Sequence, residues 1–406
     1  MTSWFSDETC RPAFDIKETP RISFGLRFPI ACAQHIDKDF NKNRVFVIAS
    51  KTLSIKTDAL EKLKTALGDR LAGFHIGISP HTPLEELVDI IIKAKSVDTD
   101  CFVTLGAGSI TDGAKIVRYA LANGAITLDK IRRLVGKPPH QHALPTIPLI
   151  CVPTTLSGGE YQAIAGATDP DSKSKDVFYP IVDPDLVIQD PELCSTTPER
   201  IWLSTGVRSI DHCVETLCSL QSNQEADSWA RRGLIRLASA LPKSRQAPSD
   251  LEARHQCQLA VVESMRAVSC GVPLGASHAI GHQLGPLGVP HGETSCILLP
   301  AVCRYNASVG ENHAKQAPVV KLLLENALPE SALGQLQDEG NRTDLASVLD
   351  VLFKEMGMPR RLSEVGIARD KLPLVARNSL NDVWIKTNAV VITSEEQVME
   401  ILEQVA

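Results

Sequence analysis

"CFVTLGAGSITDGAK", residues 101 to 115, decides the fold. A short apolar run, Cys101 to Leu105, enters a glycine turn at Gly106 and Gly108, and a helical pattern, "TDGAKIVRYALANG" (111 to 124), follows almost at once. A strand that passes through a tight turn into a helix is the repeating unit of a parallel sheet. The rhythm recurs on both sides. "RVFVIAS" (44 to 50), "LAGFHIGI" (71 to 78) and "PLICVPTT" (148 to 155) read as buried strands, and "DALEKLKTALGD" (58 to 69) and "PLEELVDIIIKAKSV" (83 to 97) as helices between them. The pattern predicts an α/β, Rossmann-like domain with a parallel sheet over residues 1–190.

Beyond residue 190 the strand signals give way to long alanine- and leucine-rich stretches. "PERIWLSTGVRSIDHCVETLCSL" (198 to 220), "QEADSWARRGLIRLASALPK" (224 to 243) and "LEARHQCQLAVVESMRAVSC" (251 to 270) have helical period, which predicts an all-α domain over 191–406. A chain of 406 residues is too long for one ordinary core, in keeping with two domains.

Composition excludes several functions. A net charge of −6 and no basic cluster interleaved with aromatics argue against nucleic acid. The longest apolar runs, such as "TIPLICVP" (146 to 153), are interrupted by proline well short of a membrane span. Eleven cysteines are scattered from Cys10 to Cys303 without a CxxC pair, and "MTSWFSDETC" has no apolar signal region, so a reducing cytoplasm is the expected setting. The expected partner is a small-molecule substrate.

The turn at 106–109 has the make-up of a phosphate cradle. Gly106, Ala107 and Gly108 bring backbone close to a ligand, Ser109 adds a hydroxyl, and the next helix opens with free N–H groups. Alone it reads equally well as a structural turn, since Thr111 stands where the usual GxGxxG has its third glycine. A second polar turn, "VPTTLSGGEYQ" (152 to 162), places Thr154, Thr155 and Ser157 at the same sheet edge and tips the reading toward a dinucleotide. Asp112 is counted with the nucleotide site, although it, Lys115 and Glu160 also suit the support of loops and helix ends. Ser50 and then Lys51 stand where NAD-selective folds tend to carry a carboxylate, so NADPH is expected to be accepted at least as well as NADH.

"LGASHAIGHQLGPLGVPHGET" (274 to 294) carries three histidines. His278 and His282 are four apart and share one helix face, and His291 follows in a stretch rich in turn formers, read as a loop. A metal site, a proton relay and a helix end with ordinary hydrogen bonds all fit these residues.

"GAGSITDGAK", "PTTLSGGE", "IVDPDLVIQDPEL", "GVRSIDHCVE", "GASHAIGHQLG" and "VPHGETSCILLP" occur in the order seen in the iron-containing alcohol dehydrogenase family, and they most resemble its maleylacetate reductase branch. The resemblance runs from "ISFG" near residue 22 to "SEEQVMEIL" near 394. It implies a dehydroquinate synthase-like architecture, a homodimer, and a cleft in which NAD(P)H passes hydride to a carbonyl or conjugated enone. It also implies a metal, iron or zinc, held by an aspartate and three histidines. The histidines match His212, His278 and His291, and His282 matches one placed beside the substrate.

The aspartate position, four before His212, holds Arg208. A guanidinium is a permanent cation with no acceptor, so it neither ligates nor tolerates a divalent ion at contact. Three histidines alone still suffice for zinc in some sites, yet a metal-free site is the expectation here. Arg208 and His212 also suit a surface pairing with Asp211 or Glu215. In the cleft, Arg208 serves either as the electrophile at the reacting oxygen or as a clamp on a substrate carboxylate, which suits an oxo-acid such as maleylacetate, and His282 serves as the acid. The family's Asn-Pro-Arg-Pro run is replaced by "IKTNAVVI" (385 to 392). A non-redox isomerase or cyclase, or a nucleotide-binding protein reusing the same cleft, is the alternative.

Overall fold

A computed structural model describes residues 4–136, 142–172, 174–336 and 343–406. The chain divides into two compact units, Met1–Thr197 and Pro198–Ala406.

The first unit is a seven-stranded sheet in the order β1-β2-β9-β6-β5-β3-β4. Its strands are β1 (Thr9–Pro12), β2 (Arg21–Phe24), β3 (Val45–Ala49), β4 (Leu71–Ile76), β5 (Cys101–Gly106), β6 (Leu149–Pro153) and β9 (Leu186–Ile188). β1 and β2 run antiparallel, and every other neighbouring pair is parallel. β3, β5 and β6 are buried at every position, as strands covered on both faces must be. The covering helices include α1 (Phe28–Lys38), α2 (Lys51–Lys56), α3 (Ala59–Leu67), α4 (Leu84–Ser96) and α5 (Gly108–Ala122). Leu60, Leu63 and Leu67 of α3 fall three and four apart and join Val45, Val47, Val103 and Ile150 in one apolar core.

Two features were not anticipated from the sequence: the β1–β2 edge with β9, and a separate antiparallel hairpin of β7 (Ala165–Thr168) and β8 (Lys175–Phe178). The pattern change at 190 does not coincide with the unit boundary. A short helix, Pro191–Cys194, follows β9 and stays with the sheet, because Asp190 caps it through Leu193 N–H and also accepts Phe28 N–H of α1 at 2.9 Å.

The second unit is helical: α6 (Glu199–Cys218), α7 (Gln224–Gln246), α8 (Leu251–Val268), α9 (Ala276–Leu284), α10 (His291–Asn306), α11 (Leu372–Ser379) and α12 (Glu395–Glu403), with two further helices, Gly310–Glu325 and Leu345–Glu355, and shorter pieces between α10 and α12. Asn223 and Asp250 cap α7 and α8, and Ser394 with Gln397 forms a reciprocal capping box on α12. From Trp202 to Cys218, α6 is buried on most of its circumference, the mark of a central helix. Ile280, Ile297, Leu298, Val375 and Leu402 belong to one core cluster joining α9, α10, α11 and α12.

All eleven cysteines are free thiols; Cys10 and Cys270 are partly exposed and the other nine are buried. Among the described residues no helix is long and apolar enough to cross a membrane.

Candidate active site

The two sets of residues singled out from the sequence fall in different units. In the first unit, β5 delivers Gly106 at φ +153°, and a Cβ there would lie 2.9 Å from Ser50 Cβ. Only glycine suits that backbone and that approach. Ser50 N–H donates to Leu105 O at 2.8 Å, so the ends of β3 and β5 are pinned together where Ser50 was expected to face the ribose. Ala107 is the N-cap of α5, and the helix begins at Gly108, three residues earlier than the sequence pattern suggested. Its cap makes no side-chain hydrogen bond and its first turn carries no acid. Gly108 and Ser109 thus lie in a first turn whose N–H groups suit an anion.

Supports surround this turn. Thr154 N–H donates to Gly106 O at 3.3 Å, Thr155 and Ser157 hydroxyls are 3.2 Å apart, and Thr82 donates to Ser109 O at 3.4 Å. Asp112 is engaged at both oxygens, by Lys115 Nζ at 3.2 Å and Gly166 N–H at 3.2 Å. The fully buried Lys115 ammonium also donates to Gly159 O and Ile164 O. Asp112 and Lys115 therefore tie α5 to the second turn and the hairpin. Glu160, in that second turn, has its carboxyl pushed up to about 7 by burial, with Lys115 opposing the shift. The glycine approach and the open helix start fit a dinucleotide pyrophosphate.

In the second unit, α6, α9 and α10 bring four histidines into one cluster. His212 and His278 stack with ring centroids 4.8 Å apart and planes 17° from parallel. His282 and His291 meet edge to face at 5.8 Å. Trp384 joins the pairs, 5.7 Å from His278 and 5.2 Å from His282. The loop reading of His291 is corrected: it is the first residue of α10, because Pro290, with φ −59° and no N–H to satisfy, sits as the N-cap.

Arg208 lies one turn before His212 on α6 and is half-buried. Burial first, and then the charges of His278 and Arg208, push His212 well below the ordinary histidine value, so its ring is neutral. The same guanidinium acts on Glu215, whose carboxyl burial raises to about 7 against the pull of its hydrogen bonds. Arg208 is thus within electrostatic reach of the cluster.

Asp211 and Glu215, weighed from the sequence only as surface partners, are buried. Glu215 accepts Gly275 N–H and Ser277 N–H at 2.9 Å each and His278 Nδ1–H at 2.8 Å. A Cβ on Gly275 would lie 3.1 Å from Glu215 Oε1, which is why the chain has glycine where the carboxylate enters the start of α9. Asp211 accepts the Ser277 hydroxyl at 2.8 Å, and burial raises it to about 6. Together Asp211, Glu215 and His278 offer ligand atoms within 4.8 Å of one another; both Glu215 oxygens and Asp211 Oδ2 already accept hydrogen bonds, whereas the buried Asp211 Oδ1 has none among the described residues. One turn from Arg208, the neutral ring of His212 stands near a permanent cation. Loss of the anionic ligand and gain of a permanent cation both weaken divalent-ion binding at this set.

His282 has its own carboxylate: its Nδ1 is 2.8 Å from Asp382 Oδ2. Asp382 and Trp384 escaped the sequence reading, and no local spacing points to them.

A parallel sheet with an open helix start after a glycine turn, joined in one chain to a helical unit with clustered histidines, defines an oxidoreductase that binds a dinucleotide, and comparison with known proteins agrees. Residues 21–191 match the iron-containing alcohol dehydrogenase family model and residues 202–406 its C-terminal counterpart. Dehydrogenase FUM7 of Gibberella moniliformis is 37% identical over 412 residues, covering 95% of this chain and 96% of that protein. Dehydrogenase ALT3 of Alternaria alternata is 35% identical, covering 89% and 99%. The solved structure of maleylacetate reductase from Agrobacterium tumefaciens superposes with a TM-score of 0.72 at 25% identity, covering 93% of each chain. The chain belongs to the iron-containing alcohol dehydrogenase family and is an NAD(P)-dependent oxidoreductase. Members of that family use NAD(P)H, typically with iron or another divalent metal.

Proposed function

We propose that the chain is an NAD(P)H-dependent reductase acting on a carbonyl or conjugated enone of an oxo-acid, and that it works without a bound divalent ion. The observation that carries this reading is Arg208, half-buried one turn before His212 on α6, at the position the family gives to an anionic ligand. Similarity to a maleylacetate reductase supports the oxo-acid class.

A bound NAD(P)H supplies the hydride. As hydride enters the substrate, negative charge develops on its oxygen, and Arg208 meets it with a fixed cation and several N–H donors. The guanidinium is equally suited to a bidentate hold on a substrate carboxylate. Arginine is a poor proton donor, so the proton comes from His282. His212, neutral and stacked on His278, fills the place beside Arg208 without adding charge. Ser50, Gly106, Ala107, Gly108, Ser109, Thr154, Thr155 and Ser157 form the nucleotide side of the reading, with Asp112 bracing it.

The test is oxidation of NADPH and NADH followed by absorbance with a panel of oxo-acids and enones, alongside elemental analysis of the same sample. Turnover with an oxo-acid, little bound metal and indifference to chelators is the expected result. Stoichiometric iron or zinc, with activity lost on chelation and restored by metal, overturns the metal-free part.

A further inference from the structure

Asp382 lies between α11 and a short 3-10 turn at Ile385–Thr387, with its side chain 11% exposed. Its two oxygens are divided between two tasks. Oδ2 is 2.8 Å from His282 Nδ1, and Oδ1 accepts Trp384 N–H at 3.0 Å. That second bond is to the main chain of Trp384, so the carboxylate that meets His282 also fixes the backbone from which the Trp384 ring, tilted 37° to His282 and edge-on to His278, projects. A carboxylate has no proton to give, so the bond places hydrogen on His282 Nδ1. This leaves Nε2 as the nitrogen that delivers a proton, in the manner of histidines oriented by a neighbouring acid.

We propose that Asp382 is a positioning residue that sets the tautomer and ring orientation of His282, and with it the placement of Trp384, for proton delivery to the reduced substrate. The proposal rests on the reading of His282 as the acid. The step balances as follows. A bound NAD(P)H would supply the hydride that forms the new C–H bond at the carbonyl carbon, and the C=O π pair would pass to the substrate oxygen. The Nε2–H bond of the His282 imidazolium, which carries hydrogen on both nitrogens, then breaks and the proton goes to that oxygen. NAD(P)H is oxidised to NAD(P)+, the carbonyl is reduced to an alcohol, and the imidazole, left with hydrogen on Nδ1, regains its Nε2 proton from water.

Nothing local in the sequence marks this pair, since His282 and Asp382 stand 100 residues apart. The segment that brings them together is the one adjoining "IKTNAVVI", where the chain departs from the family's usual run.

The test uses the full chain with Asp382→Ala, the isosteric Asp382→Asn in case the alanine variant folds poorly, and Asp382→Glu. Nitrogen-15 NMR of labelled histidine, with His282 assigned by loss of its signals in His282→Gln, reads the tautomer without requiring turnover. The native protein is expected to show His282 with hydrogen on Nδ1, and Asp382→Ala to show a mixture or the opposite tautomer. With an oxo-acid substrate, kcat should fall roughly tenfold to a hundredfold in Asp382→Ala. KM for the nucleotide should stay within about twofold, the solvent isotope effect on kcat should rise, and Asp382→Glu should recover part of the loss. An unchanged His282 tautomer in both the alanine and asparagine variants overturns the proposal, as does a changed tautomer with native kcat. A native protein that reduces no carbonyl sinks the reductase reading and the proton-delivery role with it, whereas the tautomer measurement still decides whether Asp382 holds the ring.

Discussion

The turn that follows β5 and the histidine cluster of the second unit are made of different material. The first is built from main chain: Gly106 at φ +153°, an N-cap at Ala107, and N–H groups at the start of α5. The second is built from side chains brought from α6, α9, α10 and the segment around Trp384. A main-chain site tolerates many side chains but no change of backbone. A side-chain site keeps its scaffold while one substitution rewrites its chemistry, and in the function proposed above Arg208 is such a substitution. The difference teaches that retention of the nucleotide loop and alteration of the metal position are compatible within one chain.

The sharpest way to break this contrast is Arg208→Ala. If the guanidinium stabilises charge at the reacting oxygen, kcat/KM should fall roughly a hundredfold or more, with nucleotide affinity unchanged. Steady-state kinetics with nucleotide titration by fluorescence check both halves, and near-native turnover would place the reacting centre elsewhere. Arg208→Asp sharpens the same point: isothermal titration with zinc or iron should show binding that the parent lacks, because an anion replaces the cation beside His212.

Gly106→Ala attacks the main-chain side. A Cβ at that φ meets Ser50 Cβ at 2.9 Å, and backbone strain of about 1–3 kcal/mol is the usual cost. The dissociation constant for NADPH should rise roughly tenfold, while the kcat reached at saturating nucleotide stays near native. A larger loss in kcat than in nucleotide affinity would show that the turn does more than hold phosphate.

A smaller effect is expected at Glu160. Burial raises its carboxyl from the ordinary glutamate value of 4.5 to about 7, so the folded chain binds a proton that the unfolded chain has released over that interval. This contribution to stability is fully present below pH 4.5 and is lost as pH rises through about 7. Glu160→Gln should flatten the fall of the melting temperature across that window, as followed by calorimetry, and an unaltered slope would contradict the buried, proton-binding state. The smallest expected effect is at Lys51, the exposed first residue of α2. Lys51→Glu should move preference from NADPH toward NADH by about two- to fivefold, the scale of an exposed charge contact.

The alternation of apolar runs and turns made β3, β4, β5 and β6 legible, since each is a continuous apolar or half-buried stretch with punctuation on both sides. β1, β2 and β9 were not legible: they are three or four residues long, and "TCRP" and "RISF" carry charge and proline as edge strands do. The 3.6-residue period showed that His278 and His282 share a face, but not what meets that face. Glu215, Asp382 and Trp384 reach it from 63, 100 and about as many positions away, a distance at which no periodicity operates. His291 was misread because glycine and proline before a helix look the same in sequence as a loop.

The thiols have a practical consequence. A thiol reacts as its thiolate, and burial raises the pKa of Cys32, Cys101 and Cys151 in the first unit and of Cys213, Cys257 and Cys296 in the second, which keeps them protonated as well as shielded. Alkylating reagents will therefore mark Cys10 and Cys270 in the native chain and reach the others only when the surrounding structure opens. With four buried thiols in one unit and five in the other, a time course of alkylation read by peptide mass measures the opening rates of the sheet and the helical bundle separately, with no label or substitution introduced.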